Sequence, residues 1–333
     1  MPKIYKRNFY DHIQNFIDYC TIKNLSPKTI KSYYQTLTLF AKYLEEEKNI
    51  TNVEKVNKKV VEEYMAFTKD RGKYSYIANI ETLKQNYQQN RKDVGKEISI
   101  STLNNYLRNI KVFFNWLCEH NLIKYNDVHE TKFIKSKRKE KEQLTDEEFK
   151  KLIKSLDITK FSEYRDFIVI QLIFDTGMRI GECLSLTFHE VDFNRKSIFL
   201  GSNITKSKQD RYVFFSNKMS GYFRRYIKFK DAIKNTELLF PTTRNTKLSI
   251  PNFEKNFRGY ISRAKINKNI TPHSLRNNFA RRFLINGGDI FMLSKILGHS
   301  SVTITEQAYL DVNTEDIRKS YLRFSPLENI NRF

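Results

Sequence analysis

Apolar side chains recur at steps of three and four along two stretches in the first third of the chain. In "SPKTIKSYYQTLTLFAKYLEEE", residues 26–47, Ile30, Tyr33, Leu37, Phe40 and Leu44 fall on one stripe. That is the spacing of a helix with a single buried face. Ser26 stands where a helix cap is needed and Pro27 at the first helical position, where a missing N–H breaks no bond. Residues 101–119, "STLNNYLRNIKVFFNWLCE", repeat the pattern with Leu103, Leu107, Ile110, Phe114 and Leu117. Weaker helical patterns lie near 8–22 and 56–69. Residues 1–130 therefore read as a small all-helical domain. The polar stretch 70–98, with "NYQQNRKDVGKE", reads as a loop or an inserted hairpin.

A second domain starts sharply at 144. In "LTDEEFKKLIKSL", Thr145 and Glu148 have capping-box spacing ahead of Phe149, Leu152, Ile153 and Leu156. A buried helix over 163–176 should end at Gly177. Two strand-like runs follow, "KSIFL" at 196–200 and "RYVFF" at 211–215, joined by the polar turn "GSNITKSKQD". Helical patterns return at 218–231, 251–265, 272–286 and 289–297, with Gly287 and Gly288 as a stop between the last two. The fold class expected is mainly α: an N-terminal helical domain, then a mostly helical domain, 144–333, with a small antiparallel sheet.

Between the two, "KFIKSKRKEK" at 132–141 carries six basic residues and one acidic, without periodicity. It reads as an exposed linker, 131–143, in which Lys132, Lys135, Lys137, Arg138 and Lys139 can track a phosphate backbone. A solvated hinge that touches nothing is the plainer alternative.

Composition sharpens this. The net charge is +22, far beyond what solubility requires, and most of the excess follows residue 130. A polyanion is the expected partner: nucleic acid first, an anionic membrane surface a distant second. The most apolar run, "FIVIQLIF" at 167–174, is too short to span a bilayer, and the N-terminus lacks the apolar centre of a signal peptide. Cys20, Cys118 and Cys183 lack metal or disulfide spacing and read as reduced core residues, which places the protein in the cytoplasm.

The candidate chemistry lies in the second half. "DTGMRIGE" puts Arg179 after a glycine turn with Glu182 one helical turn later. "TKSKQDR" puts Lys206 in the turn between the strands. "TPHSLRNNFARRF" puts His273 and Arg276 on one helical face, "LGHSS" puts His299 at a helix end, and "TEQAYL" holds Tyr309. Singly, each has a structural explanation: an i,i+3 ion pair for Arg179 and Glu182, a surface charge for Lys206, a helix C-cap for His299, a packing role for Tyr309. Together, two arginines, a lysine and two histidines without a carboxylate cluster suit a phosphate diester. Arginine forks bind non-bridging oxygens at any relevant pH. A lysine can protonate a departing alkoxide, and a tyrosine can hold the phosphate covalently. No acidic metal site is evident, so no metal and no other cofactor is expected.

In their order along the chain, Arg179, Lys206, His273, Arg276, His299 and Tyr309 resemble the catalytic residues of the tyrosine recombinase, or phage integrase, family. "TGMRIGE" is similar to its first arginine box, "TPHSLRNNFARRF" to its second, and "LGHSSVTITEQAY" to its final box. "LSPKTIKSYYQTLTLFAKYL" and "TLNNYLRNIKVFFNWLCEHNLI" resemble its helical core-binding domain. The resemblance implies that Arg179 and Arg276 clamp the scissile phosphate, supported by Glu182. It implies that Lys206 is the general acid for the 5′-hydroxyl, that His273 and His299 contact the phosphate and assist proton transfer, and that Tyr309 forms a 3′-phosphotyrosyl link. It further implies a double-stranded DNA site, a tetramer on that DNA, no ATP and no metal. Tyr309 lies ten residues after His299 where nine is usual, and Lys208 is a second candidate for the general acid. The first helix begins almost at once, which leaves no room for a separate arm-site domain and points to an Xer-like or mobile-element recombinase. The tail beyond Tyr309, with Ile317, Tyr321 and Leu322, is a candidate contact with a neighbouring protomer. A DNA-binding architectural protein and a type IB topoisomerase-like nicking enzyme are the competing readings.

Overall fold

The computed structural model describes residues 8–77, 91–136, 142–202, 205, 209–299 and 301–309. The chain divides into two compact units, residues 1–138 and 139–333.

The first unit holds four described α-helices: α1 Phe9–Ile22, α2 Pro27–Lys48, α3 Lys58–Arg71 and α4 Ile100–Glu119. Each starts on a residue whose side chain accepts a backbone N–H of the first turn: Asn8, Ser26, Asn57 and Ser99. Such caps each stabilise a helix start by about 1 kcal/mol. The stripes read from the sequence face inward, with Leu37, Phe40, Leu44, Leu103, Leu107, Ile110 and Phe114 all buried. Aromatic rings dominate this core: Phe113 stands edge-on to Phe16 and to Phe114. Polar bonds also cross it. Asn109 of α4 donates to Ser32 and Thr36 of α2, which fixes the register of the two helices.

Of the stretch 70–98, residues 78–90 lie outside the described residues. Its flanks are drawn together by two backbone bonds, from Lys73 N to Lys96 O and from Gly95 N to Lys73 O, both 2.8 Å. Residues 131–136 run back along α4. The Asn104 side chain pairs with both backbone groups of Ile134 at 2.9 Å, and Thr131 is buried. Lys132 and Lys135 are exposed, whereas Lys137, Arg138 and Lys139 lie outside the described residues.

In the second unit, α5 Asp146–Lys154 begins on the Thr145–Glu148 capping box. Helix α6, Phe161–Thr176, contains the "FIVIQLIF" run and is buried on nearly every side, packing on α8 Asn217–Ile233 and α10 Pro272–Ile285. A helix enclosed all round needs no polar face. The sheet is antiparallel in the order β1-β2-β3, from Val191–Asp192, Ser197–Leu200 and Arg211–Phe214. Ile198 pairs with Val213 and both are buried, while Phe199, Tyr212 and Phe214 point outward. Helix α7, Ile180–Cys183, precedes the sheet; α9 Ile250–Arg263, α11 Ile290–Leu297 and α12 Val302–Tyr309 complete the described elements.

Three features depart from the sequence reading. Strand β1 is two residues long and exists only through its pairing with Ile198 and Ser197. Helix α12 forms from "VTITEQAY", whose β-branched residues disfavour a helix in isolation. Cys20 and Cys183 are buried, but Cys118 is only partly so, because it sits one residue off the buried stripe of α4.

Candidate active site

Helix α6 ends on Gly177 in the left-handed region at φ 68°, and a Cβ there would stand 2.4 Å from the Phe279 ring. Only glycine is tolerated at such a turn. The turn aims the Gly177 carbonyl at Arg276, which donates to it at 2.8 Å, and leads into Arg179, the N-cap of α7.

The C-terminal end of α11 is the hub of the site. Its last carbonyls have no partner within the helix and carry the negative end of its dipole. Three of them in succession each accept from a different arginine. Ile296 O accepts from Arg211 Nε at 3.0 Å, Leu297 O from Arg276 Nη2 at 2.7 Å, and Gly298 O from Arg179 Nη2 at 3.3 Å. Gly298 is left-handed at φ 64°, and a Cβ there would meet Arg211 Cδ and Nε at 2.9 Å. The helix stop and the close arginine approach both require glycine.

Glu182, 2% exposed, binds two of these guanidiniums. Arg211 takes both carboxylate oxygens, at 3.1 and 2.6 Å, and Arg179 takes Oε1 at 2.9 Å with its side chain and Oε2 at 2.9 Å with its backbone N–H. Burial pushes the Glu182 carboxyl up, but the bonds and charges of Arg211 and Arg179 outweigh it and hold the group below the usual carboxylate range. Glu182 is ionised at neutral pH.

His299 follows Gly298. Its Nε2 lies 3.1 Å from Arg276 Nη2 and its Nδ1 lies 2.7 Å from Thr305 Oγ1 on α12. Burial lowers its pKa, and the charges of Arg276, Arg179 and Arg211 lower it further, to about 4. The ring is therefore neutral near pH 7.

Arg179, Glu182, Arg276 and His299 thus meet at one place. His273 is exposed in the first turn of α10, one turn before the buried Arg276, and lies close enough to affect the charge of His299. Tyr309 is the last residue of α12, which packs on α11 and α10; its side chain lies outside what is described. Lys206 and Lys208 also lie outside the described residues, between Thr205 and Gln209. Thr205 Oγ1 donates to Gln209 O at 2.9 Å across them. Ile317, Tyr321 and Leu322 are likewise outside the described residues.

Two contributors escape the sequence reading. Arg211 looks like one more charge beside Lys208, yet its side chain is 8% exposed. A signal was present: Arg211 shares the inward phase of its strand with Val213 and Phe215. Thr305, fully buried, carries no such signal. Beside Arg211 and His299 a cavity of about 640 Å³ is lined by Tyr212, Phe214, Phe283, Met292 and Ile296.

Among the described residues no cluster of His, Cys, Asp or Glu is arranged to hold a metal ion, and no helix is long and apolar enough to cross a membrane.

Comparison with known proteins follows the same division. The phage integrase family profile matches residues 142–316, and the phage integrase N-terminal SAM-like domain matches residues 13–88. Tyrosine recombinase XerC of Oceanobacillus iheyensis is 25% identical over 328 residues, covering 96% of this chain and 98% of the relative. Tyrosine recombinase XerD of Staphylococcus epidermidis is 27% identical over 322 residues, covering 94% and 98%. Among solved structures, a Tn1549 transposon integrase variant in complex with transposon right end DNA superposes with a TM-score of 0.71 at 17% identity, covering 96% of this chain and all of that one. The XerH site-specific recombinase bound to a palindromic difH substrate gives 0.67 at 17% identity, covering 91% and 81%.

Proposed function

Because the chain belongs to the phage integrase family of tyrosine recombinases, we propose a role for each residue of its site in cutting and rejoining DNA. The protein is a site-specific recombinase, and DNA is its partner. An architectural or topoisomerase-like role is not favoured. The observation that carries the residue assignment is the convergence of three arginines on the last carbonyls of α11, with Glu182 ionised and His299 neutral among them.

A phosphate diester carries one negative charge, and attack on phosphorus concentrates a second on its oxygens. Arg179 and Arg276 are the clamp for that charge. Both are held in place before substrate arrives, so little reorganisation is needed as charge develops. Arg179 keeps 27% of its side chain exposed and offers the more open surface. Tyr309 Oη forms the bond to phosphorus as the bond from phosphorus to the 5′-oxygen breaks, leaving a 3′-phosphotyrosine. Lys206 gives a proton to the departing 5′-oxygen. Both ring nitrogens of His299 are engaged, so it orients Arg276, and the tyrosine proton passes to His273. The energy of the broken bond is retained in the phosphotyrosine, and a 5′-hydroxyl from a second strand reverses the step. Neither ATP nor a metal enters this scheme.

In this reading residues 1–130 form the core-binding domain, 131–143 the basic linker and 144–333 the catalytic domain. The linker lysines, of which Lys132 and Lys135 are exposed, follow the DNA backbone. Four protomers act on two sites, with the tail beyond Tyr309 reaching a neighbour. The work is done in the cytoplasm, on the nucleoid.

A plasmid carrying two direct copies of the DNA that flanks this gene tests the reading. The expected product is a smaller circle lacking the segment between them. Relaxation of supercoils alone, equally on a plasmid without those copies, would support the topoisomerase-like reading instead.

A further inference from the structure

Arg211 is the one arginine of the cluster that the scheme above leaves without a task. Its position is costly to arrange. The side chain is 8% exposed, its fork takes both oxygens of Glu182 at 3.1 and 2.6 Å, and its Nε reaches Ile296 O at 3.0 Å. Gly298 gives up a side chain to let it pass. The Glu182 carboxylate neutralises this fork, whereas the partners of Arg276 are two carbonyls and a neutral imidazole, so Arg211 is the poorer phosphate ligand. It is a good strut, since a planar fork fixes orientation as well as distance.

The strut joins two parts of the site. Arg211 opens β3 and pairs with Leu200, at the point where the hairpin loop closes. The loop is tied internally by Ser202 N to Asp210 Oδ1 at 2.6 Å and by Thr205 Oγ1 to Gln209 O at 2.9 Å. Those bonds join residues at the two ends of the loop. Arg211 pins the base of the hairpin to Glu182 and to the carbonyl run that also holds Arg179 and Arg276. Lys206 belongs to this loop, five residues before Arg211.

We propose that Arg211 is a positioning residue for the leaving-group step, holding the hairpin that carries Lys206 in register with the phosphate clamp. This rests on Lys206 being the general acid. A general acid works only within hydrogen-bond reach of the atom it protonates. A misplacement of about 1 Å costs on the order of 10²-fold. Arg211→Lys keeps the charge and loses the fork; Arg211→Gln loses both.

The test replaces the bridging 5′-oxygen at the scissile phosphate with sulfur, in duplex DNA that flanks this gene. A thiolate leaves without a proton, so a defect confined to the general acid disappears. The full-length wild type, Lys206→Ala, Arg211→Lys and Arg211→Gln proteins are compared for cleavage rate on the oxygen and sulfur substrates, with DNA affinity measured alongside. Both Arg211 variants should bind DNA normally and cleave the oxygen substrate about 10²-fold more slowly. On sulfur they should come within about tenfold of wild type, as Lys206→Ala should. If Lys206→Ala recovers on sulfur but both Arg211 variants stay equally slow on both substrates, Arg211 serves the clamp or the fold and the proposal is wrong. If Lys206→Ala itself fails to recover, the general-acid assignment falls, and the proposal with it.

Discussion

Arg276 donates to Nε2 of His299 over 3.1 Å, and this one bond sets the tautomer of the histidine. A guanidinium has no acceptor, so Nε2 must be bare and the ring proton must sit on Nδ1. That proton points at Thr305 Oγ1, 2.7 Å away on α12. The helix that ends in Tyr309 is thereby tied to Arg276 through a neutral imidazole.

A pH dependence follows. Folded His299 has a pKa of about 4, against about 6.5 in an unfolded chain. Between those values the unfolded state binds more protons, so stability rises with pH. The contribution is complete above about 6.5 and is lost as pH falls towards 4. Urea midpoints of the DNA-free protein should fall more steeply over this window for wild type than for His299→Gln. Equal slopes would show that the histidine is not held neutral.

Glu182→Gln should be strongly destabilising. It leaves Arg211 and Arg179 without their shared buried anion, and breaking a buried pair in this way costs about 3–5 kcal/mol. Arg211→Met in the same chain should give back part of the loss, because one of the two uncompensated charges is gone. Thermal or urea unfolding of the two variants reads this directly. A loss below about 1 kcal/mol for Glu182→Gln would mean that solvent takes over the role of the carboxylate.

The start of the linker should depend on Asn104, whose amide holds Ile134 by two bonds. In Asn104→Ala the backbone at 131–136 should detach and become a protease substrate, with little change in global stability. Trypsin cleavage after Lys132 and Lys135 should accelerate several-fold. An unchanged rate would place the anchor elsewhere, in Phe133 against Arg108 and Lys111.

If Lys132 and Lys135 each meet a phosphate, replacing either with glutamine should lower the slope of log affinity against log salt by about 0.9. Binding titrations across a salt series measure this. A weaker complex with an unaltered slope would argue for a conformational effect of the linker.

Local physics was the legible part of this chain. Ser26, Thr145 and Pro27 act within one helical turn, so their effect can be read from their neighbours in sequence. The stripe of α4 and the unbroken apolar run of α6 likewise report burial directly. What depends on distant partners was less legible. Val191 and Asp192 form a strand only because Ile198 and Ser197 lie opposite. The segment 302–309 is helical although Val302, Thr303 and Thr305 favour extended backbone, and burial of Thr305 under His299 is part of what holds it. Motif order singled out Arg179, His273, Arg276 and His299, but not that Ile296, Leu297 and Gly298 would each receive a different arginine. That arrangement brought Arg211 into the site.

The proposed role of Tyr309 as the covalent carrier of the DNA is open to capture by denaturation. Wild type and Tyr309→Phe are incubated in EDTA with duplex from the flanks of this gene, labelled on one strand, and denatured. An adduct is expected with wild type alone, with the label joined through a 3′-phosphate to a peptide containing Tyr309. An adduct of equal yield with Tyr309→Phe would contradict it and move the nucleophile elsewhere in the chain, with Tyr321 the next to replace.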